Sequence, residues 1–102
     1  MKNVIQNLVP TESRPERVGP RITAMRETLA MSKSQLADSI GLDRSTMTKV
    51  EKGEAGLDIR HGIAIAEFYG FGLDYTYRGD LSDVPEKHRQ MLLVNLVTYK
   101  AT

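Results

Sequence analysis

Arg44, Ser45, Thr46, Thr48 and Lys49 fall within one six-residue span, interrupted only by the apolar Met47. The set joins a planar guanidinium, three short hydroxyls and an ammonium. It donates hydrogen bonds and positive charge, with two parallel N–H groups from the arginine and a mobile point charge from the lysine. Its counterpart is a surface rich in acceptors and anionic oxygens. Lys33, Ser34 and Gln35 form a smaller polar group upstream, and Lys52 lies one helical turn beyond Thr48. Asp, Ser and His are all present, but no spacing sets a nucleophile beside a base and an orienting carboxylate. Without a phosphate-binding glycine loop or a metal motif either, the chain is not expected to be an enzyme or to carry a cofactor or metal.

Stepwise positioning of these side chains requires two short helices. Ser32 stands three residues before Gln35, a capping box, with Met31 and Leu36 in the matching hydrophobic-staple positions. Asp43 can cap the amides of Ser45 or Thr46, and Leu42 and Met47 form the second staple. Between the two starts, Leu36, Ala37 and Ile40 make an apolar face and Gly41 ends the first helix, because glycine accepts the positive φ of a tight reversal. The pattern predicts helices over 33–40 and 44–52, the second burying Met47 and Val50 and turning its polar side outward. A capped helix pair of this kind, with donors and cations on the second helix, is how a helix-turn-helix addresses DNA.

The rest of the chain supplies a frame for that pair. Residues 1–17, with Pro10, Pro15 and a brief apolar stretch at Val4, Ile5, Leu8 and Val9, read as a flexible N-terminal arm. Pro20 suits the first turn of a helix reaching about Ala30, with Ile22, Met25, Arg26 and Leu29 on one side. Asp58 can cap a helix to Tyr69 that turns Ile59, Ile63, Ala66 and either Ile65 or Phe68 inward, and Gly62 within it calls for a bend or a close helix crossing. LDYTYR forms a fifth short helix ended by Gly79. The segment 85–99 then places Leu92, Leu93, Leu96, Val97 and Tyr99 on a broad apolar face. That face either pairs two copies or folds back on its own domain.

Whole-chain properties agree with a small intracellular domain. The 102 residues, 40% hydrophobic and 26% charged, fit one modest core. Cysteine is absent, which removes disulfides and thiolate metal sites, and the two histidines make no metal cluster. No apolar run approaches the roughly 20 residues needed to span a bilayer, and no secretory segment opens the chain. The net charge of +1 and pI near 8.0 do not by themselves call for a nucleic acid. Their distribution is more telling, since Arg14, Arg17, Arg21 and Arg26 precede the motif and Asp74, Asp80, Asp83 and Glu86 follow it. Arg14, Arg17 and Arg21 read as a solvated cluster, or as an arm steered toward DNA. Tyr69, Phe71, Tyr75 and Tyr77 read as core and rim packing.

Over residues 18–80 the chain resembles the Xre/Cro-repressor family of bacterial and phage helix-turn-helix proteins. The resemblance rests on the Ile22 and Arg26 spacing, S-x-x-Q-L-A at 32–37, Ile40, Gly41, Met47, V-E-K-G at 50–53, and IAEFYGFGLDY with Arg78, Gly79 and Asp80. It departs from the family at Gly62, where Leu is usual, and at Thr76, where an apolar residue is usual. The resemblance implies an all-α, five-helix repressor-like domain, here with an additional C-terminal helix over 81–102. It further implies a sequence-specific regulator of transcription, a repressor binding a palindromic double-stranded operator as a homodimer, cytoplasmic and nucleoid-associated when bound. Arg44, Ser45, Thr46, Thr48 and Lys49 would then face base edges or the groove, and Lys33, Ser34, Gln35 and Lys52 the phosphates. Arg26 and Glu51 would form a structural ion pair, and Leu92, Leu93 and Leu96 the dimer contact. No membrane or small-molecule partner is expected. The alternative is a protein-binding module of the same fold that regulates another transcription factor by direct contact.

Overall fold

A computed structural model describes residues 11–101, apart from the side chains of 99–101, and those residues form six α-helices and no strand. Val4, Ile5, Leu8 and Val9 of the expected arm, and the Tyr99 side chain, lie outside the described residues. A 3-10 turn at Thr11–Ser13 leads into α1 (Pro15–Thr28), followed by α2 (Lys33–Ile40), α3 (Arg44–Glu51), α4 (Ile59–Tyr69) and α5 (Leu73–Arg78). A second 3-10 turn at Leu81–Asp83 precedes α6 (Glu86–Ala101).

The first helix starts earlier than the expected Pro20. Pro15 takes the first-turn position, and α1 runs on through Pro20 and across the expected boundary between residues 17 and 18. Gly19 explains how the helix survives an internal proline: the residue before proline is normally driven out of the helical region by a clash at its Cβ, which glycine lacks. The helix ends at Thr28, and Ala30 then takes a positive φ of 56° in the connection to α2.

The core lies where α1, α2 and α3 converge, built from Val18, Ile22, Met25, Leu36, Ala37, Ile40, Met47 and Val50. Phe71 and Tyr75 close it from below, with Tyr75 Oη donating to the Arg21 carbonyl at 2.7 Å. Burial pushes the Tyr75 hydroxyl's pKa well above its usual value.

The apolar face expected for α4 is corrected. Ile59, Ile63 and Phe68 are exposed, and the buried side is Gly62 and Ile65 with Tyr69 at its margin. The cause is Tyr77 on α5, whose ring lies against the α4 backbone at Gly62 and whose hydroxyl donates to the Leu57 carbonyl at 2.9 Å. A side chain at position 62 would occupy the same space, so glycine and tyrosine exchange volume across the α4–α5 contact.

Asp83 supplies a cap from a distance. Gly72, at the N-terminus of α5, has no side chain to offer, and the Asp83 carboxylate accepts from the Asp74 amide at 3.0 Å. The last helix folds back along α1, with Leu92 fully buried and Asn95 Nδ2 donating to Thr28 Oγ1 at 2.9 Å.

Candidate nucleic-acid interface

The orientation of α3 is set at its C-terminal end by three contacts with α1. Gly19 brings the two backbones together: a Cβ there would stand 2.6 Å from the Val50 carbonyl oxygen and 2.8 Å from that of Glu51. Arg26 clamps Glu51 with a two-pronged pair, Nε to Oε2 at 2.8 Å and Nη2 to Oε1 at 3.0 Å. Its remaining Nη1 donates to the Met31 carbonyl at 3.0 Å, and Thr23 Oγ1 donates to Glu51 Oε1 at 3.0 Å. The Glu51 side chain is only 4% exposed, and the Arg26 charge and three hydrogen bonds compensate it there.

At the other end, the turn from α2 to α3 is closed by local bonds. Gly41 sits at φ 74°, and the Leu42 amide reaches the Ala37 carbonyl at 2.9 Å. Asp43 accepts from the Ser45 amide at 3.0 Å and the Thr46 amide at 3.3 Å, capping α3. The Ser45 hydroxyl also donates to Asp43; with the Thr46 amide, this holds the Asp43 carboxyl below its usual pKa. At neutral pH the cap is therefore charged. Ser32 and Gln35 form the reciprocal box on α2, at 3.0 and 2.8 Å. Tyr69 Oη braces α2 from α4 by donating to Ser39 Oγ at 2.6 Å.

Between these anchors α3 presents its polar side outward. Arg44, Ser45 and Lys49 are exposed, Thr46 and Thr48 half-buried, and Met47 and Val50 lie in the core. Lys33, Gln35 and Lys52 are exposed, with Ser34 half-buried. Not all of the polar atoms in these groups are free. The Ser45 hydroxyl is turned to the cap, Thr48 Oγ1 donates back to the Arg44 carbonyl at 3.3 Å, and the Gln35 carbonyl oxygen is occupied in the capping box. Arg44 pairs with Asp38 across the turn, which lowers the Asp38 pKa and raises that of Arg44.

The family model for the helix-turn-helix matches residues 22–75, from the middle of α1 into α5. The chain belongs to the helix-turn-helix family. No curated protein and no solved structure gives a match. Membership in this family carries double-stranded DNA binding and transcription regulation as the chain's class of activity. The matched stretch holds both capped helices and the Arg26–Glu51 clamp, whereas α6 lies beyond it.

Around this helix-turn-helix, two groups sit elsewhere than expected. Leu92 is buried against its own domain and Leu96 half-buried, so Leu92 is not available to a second copy; α6 turns Met91, Leu93, Val94 and Val97 to solvent instead. Arg21 is not part of a solvated cluster. It is buried, with Nη1 donating to the Glu12 carbonyl at 2.6 Å and to the Thr76 carbonyl at 3.1 Å and Nη2 meeting the Glu12 carboxylate. Two contributors to the site escaped the sequence: Gly19, whose signal was its place before an internal proline, and Asp38, whose signal was a carboxylate six residues before an arginine across a turn. Among the described residues no group of His, Cys, Asp and Glu could hold a metal ion, and no helix is long and apolar enough to cross a membrane.

Proposed function

We propose that this protein is a sequence-specific repressor of transcription that binds a palindromic operator as a homodimer, with α3 in the major groove of each half-site. The observation that carries this reading is the outward side of α3, where Arg44 and Lys49 are exposed and Thr46 is half-buried beside them on a helix anchored at both ends. A major groove about 12 Å wide admits one such helix, and an arginine in it can bond guanine O6 and N7 together. Ser45 and Thr48 contribute acceptor oxygens and a methyl to the groove rather than free hydroxyl donors. Lys33, Ser34, Gln35 and Lys52 lie beside the groove-facing set and meet phosphates, with the N-terminus of α2 adding its partial positive charge.

Successive half-sites require two recognition helices about 34 to 36 Å apart, and we infer that pairing of two copies through α6 sets that spacing. The support for this surface is its exposed apolar side, Met91 at 56%, Val94 at 53% and Val97 at 66%, bordered by Leu93. Such a protein acts in the cytoplasm, on the nucleoid.

Selection of bound duplexes from random-sequence DNA tests the reading. A recovered site with two-fold symmetry and half-sites one helical turn apart is the expected result. Absence of any enriched duplex at about 100 mM salt overturns it in favour of a module that contacts another regulator, because a specific site must exceed the salt-sensitive non-specific background. Sedimentation of the Val94→Ser/Val97→Ser variant tests the dimer: the variant is expected to run as a monomer where the wild type runs as a dimer.

A further inference from the structure

Arg44 Nε donates to Asp38 Oδ1 at 3.2 Å and Nη2 to Oδ2 at 2.7 Å. The carboxylate on α2 therefore grips the guanidinium by its Nε side. A guanidinium has a second two-donor edge, made by Nη1 and the outer hydrogen of Nη2, and a side-on partner leaves that edge pointing away. Among the described residues, Nη1 of Arg44 makes no hydrogen bond. Both side chains are open to solvent, 66% and 57% exposed, so the pair adds little to the stability of the fold. Its effect is on geometry: a long flexible side chain is held in one orientation before any ligand arrives, which reduces the ordering entropy that binding must overcome.

We propose that Asp38 is a positioning residue for base readout, holding Arg44 so that its Nη1–Nη2 edge is delivered end-on to the O6 and N7 acceptors of a guanine. This rests on the DNA-reading role of α3 given above. Asp38 also brings a negative charge to a surface that meets phosphates, so it weakens binding to DNA of any sequence while sharpening the choice of base. These two effects have opposite signs. A carboxylate that merely competed with DNA for Arg44 would weaken binding without sharpening base preference, and one that merely braced the fold would change thermal stability and leave base preference alone.

The test uses the full chain and the duplex recovered by selection from random-sequence DNA, with its three base-pair variants at each position and a scrambled duplex. Arg44→Ala is expected to flatten the preference at one guanine position. Asp38→Asn is expected to reduce that same preference by about tenfold, within the range a bidentate base contact discriminates, while tightening binding to the scrambled duplex. Asp38→Glu, which keeps the carboxylate, restores part of the preference. The double variant Asp38→Asn/Arg44→Ala loses no more preference than Arg44→Ala alone. An Asp38→Asn variant that keeps the full guanine preference, or an Arg44→Ala variant that weakens all sequences equally, overturns the proposal while leaving DNA binding intact. Failure of the wild type to enrich any duplex removes the DNA reading itself, and the proposal with it.

Discussion

Gly19 of α1 and Val50 of α3 approach so closely that a Cβ on the glycine would lie 2.6 Å from the valine carbonyl oxygen. The neighbouring atoms are also backbone, the Glu51 carbonyl oxygen at 2.8 Å and the Gly53 amide nitrogen at 3.1 Å, so no side-chain rotation relieves the clash. One methyl group at position 19 therefore displaces the C-terminal end of α3.

Gly19→Ala is expected to destabilise the protein by about 2 kcal/mol, the middle of the range for overpacking a tight site, despite alanine's better helix propensity. Urea denaturation measures the loss. Because α3 shifts with it, DNA affinity should fall further than the unfolded fraction accounts for; affinity that tracks stability alone would mean that α3 keeps its place.

Removal of Arg26 leaves Glu51 buried with Thr23 as its remaining side-chain partner. Arg26→Ala should cost about 3 kcal/mol, since breaking one half of a buried pair strands the other charge. Arg26→Ala/Glu51→Ala should recover part of that loss, and a double-mutant cycle on the denaturation midpoints reads the coupling. Additive losses would show that the pair holds nothing together.

A Cβ at Gly62 would stand 2.6 Å from the Tyr77 hydroxyl oxygen and 2.8 Å from its ring. Gly62→Ala should destabilise the wild type, because Tyr77 must move away from the Leu57 and Asp58 carbonyls to which it donates. In a Tyr77→Ala background the same change should stabilise by about 1 kcal/mol through helix propensity alone. The change of sign between backgrounds is the decisive observation.

Stability should fall at both ends of the pH scale. Asp43, Asp58 and Asp80 each accept amide or hydroxyl bonds that hold their carboxyls below the unfolded value of 3.8. Their contribution is complete above that value and lost as pH falls through the lower folded-state values. Asp43→Asn keeps a capping oxygen without titrating, so the acid limb of a plot of melting temperature against pH should be shallower in this variant. At the alkaline end, burial raises the Tyr77 pKa from 10.0 to about 12 and raises that of Tyr75 as well, so their contribution is present below pH 10.0 and lost as pH climbs toward the folded values. Tyr75→Phe should flatten that limb.

Lys52 is exposed just past α3, outside the proposed base-reading set. Lys52→Ala should weaken binding to specific and scrambled duplexes alike and reduce the log–log salt slope by about 1 for each phosphate that the ammonium neutralises. A change in base preference would instead place the ammonium at a base edge.

The two capped helices were legible from the residues alone because their signals are local. Ser32 with Gln35, and Asp43 with the Ser45 and Thr46 amides, act over two or three residues, and Gly41 marks a reversal that side chains resist. The core positions of these helices were equally readable, since Leu36, Ala37, Ile40, Met47 and Val50 follow one helical period. On α1 the same local logic was ambiguous. Pro15 and Pro20 both satisfy a first turn; Gly19, lacking a Cβ, lets the helix continue through the second proline, and the packing of Gly19 on α3 is what the tertiary structure adds.

What the sequence by itself determined, then, is the helix-turn-helix and its outward donors, since caps and periodicity are properties of neighbouring residues. The tertiary structure decided which of those donors are free and which faces are covered. Arg44 is gripped by Asp38, Arg21 is enclosed by Glu12 and Thr76, Tyr77 turns α4 so that Ile59 and Ile63 face solvent, and α6 spends Leu92 on its own domain. Each of these depends on partners that a turn or a helix crossing brings together, 6 to 55 residues or more apart, where shape and hydrogen-bond competition leave no periodic trace in the chain.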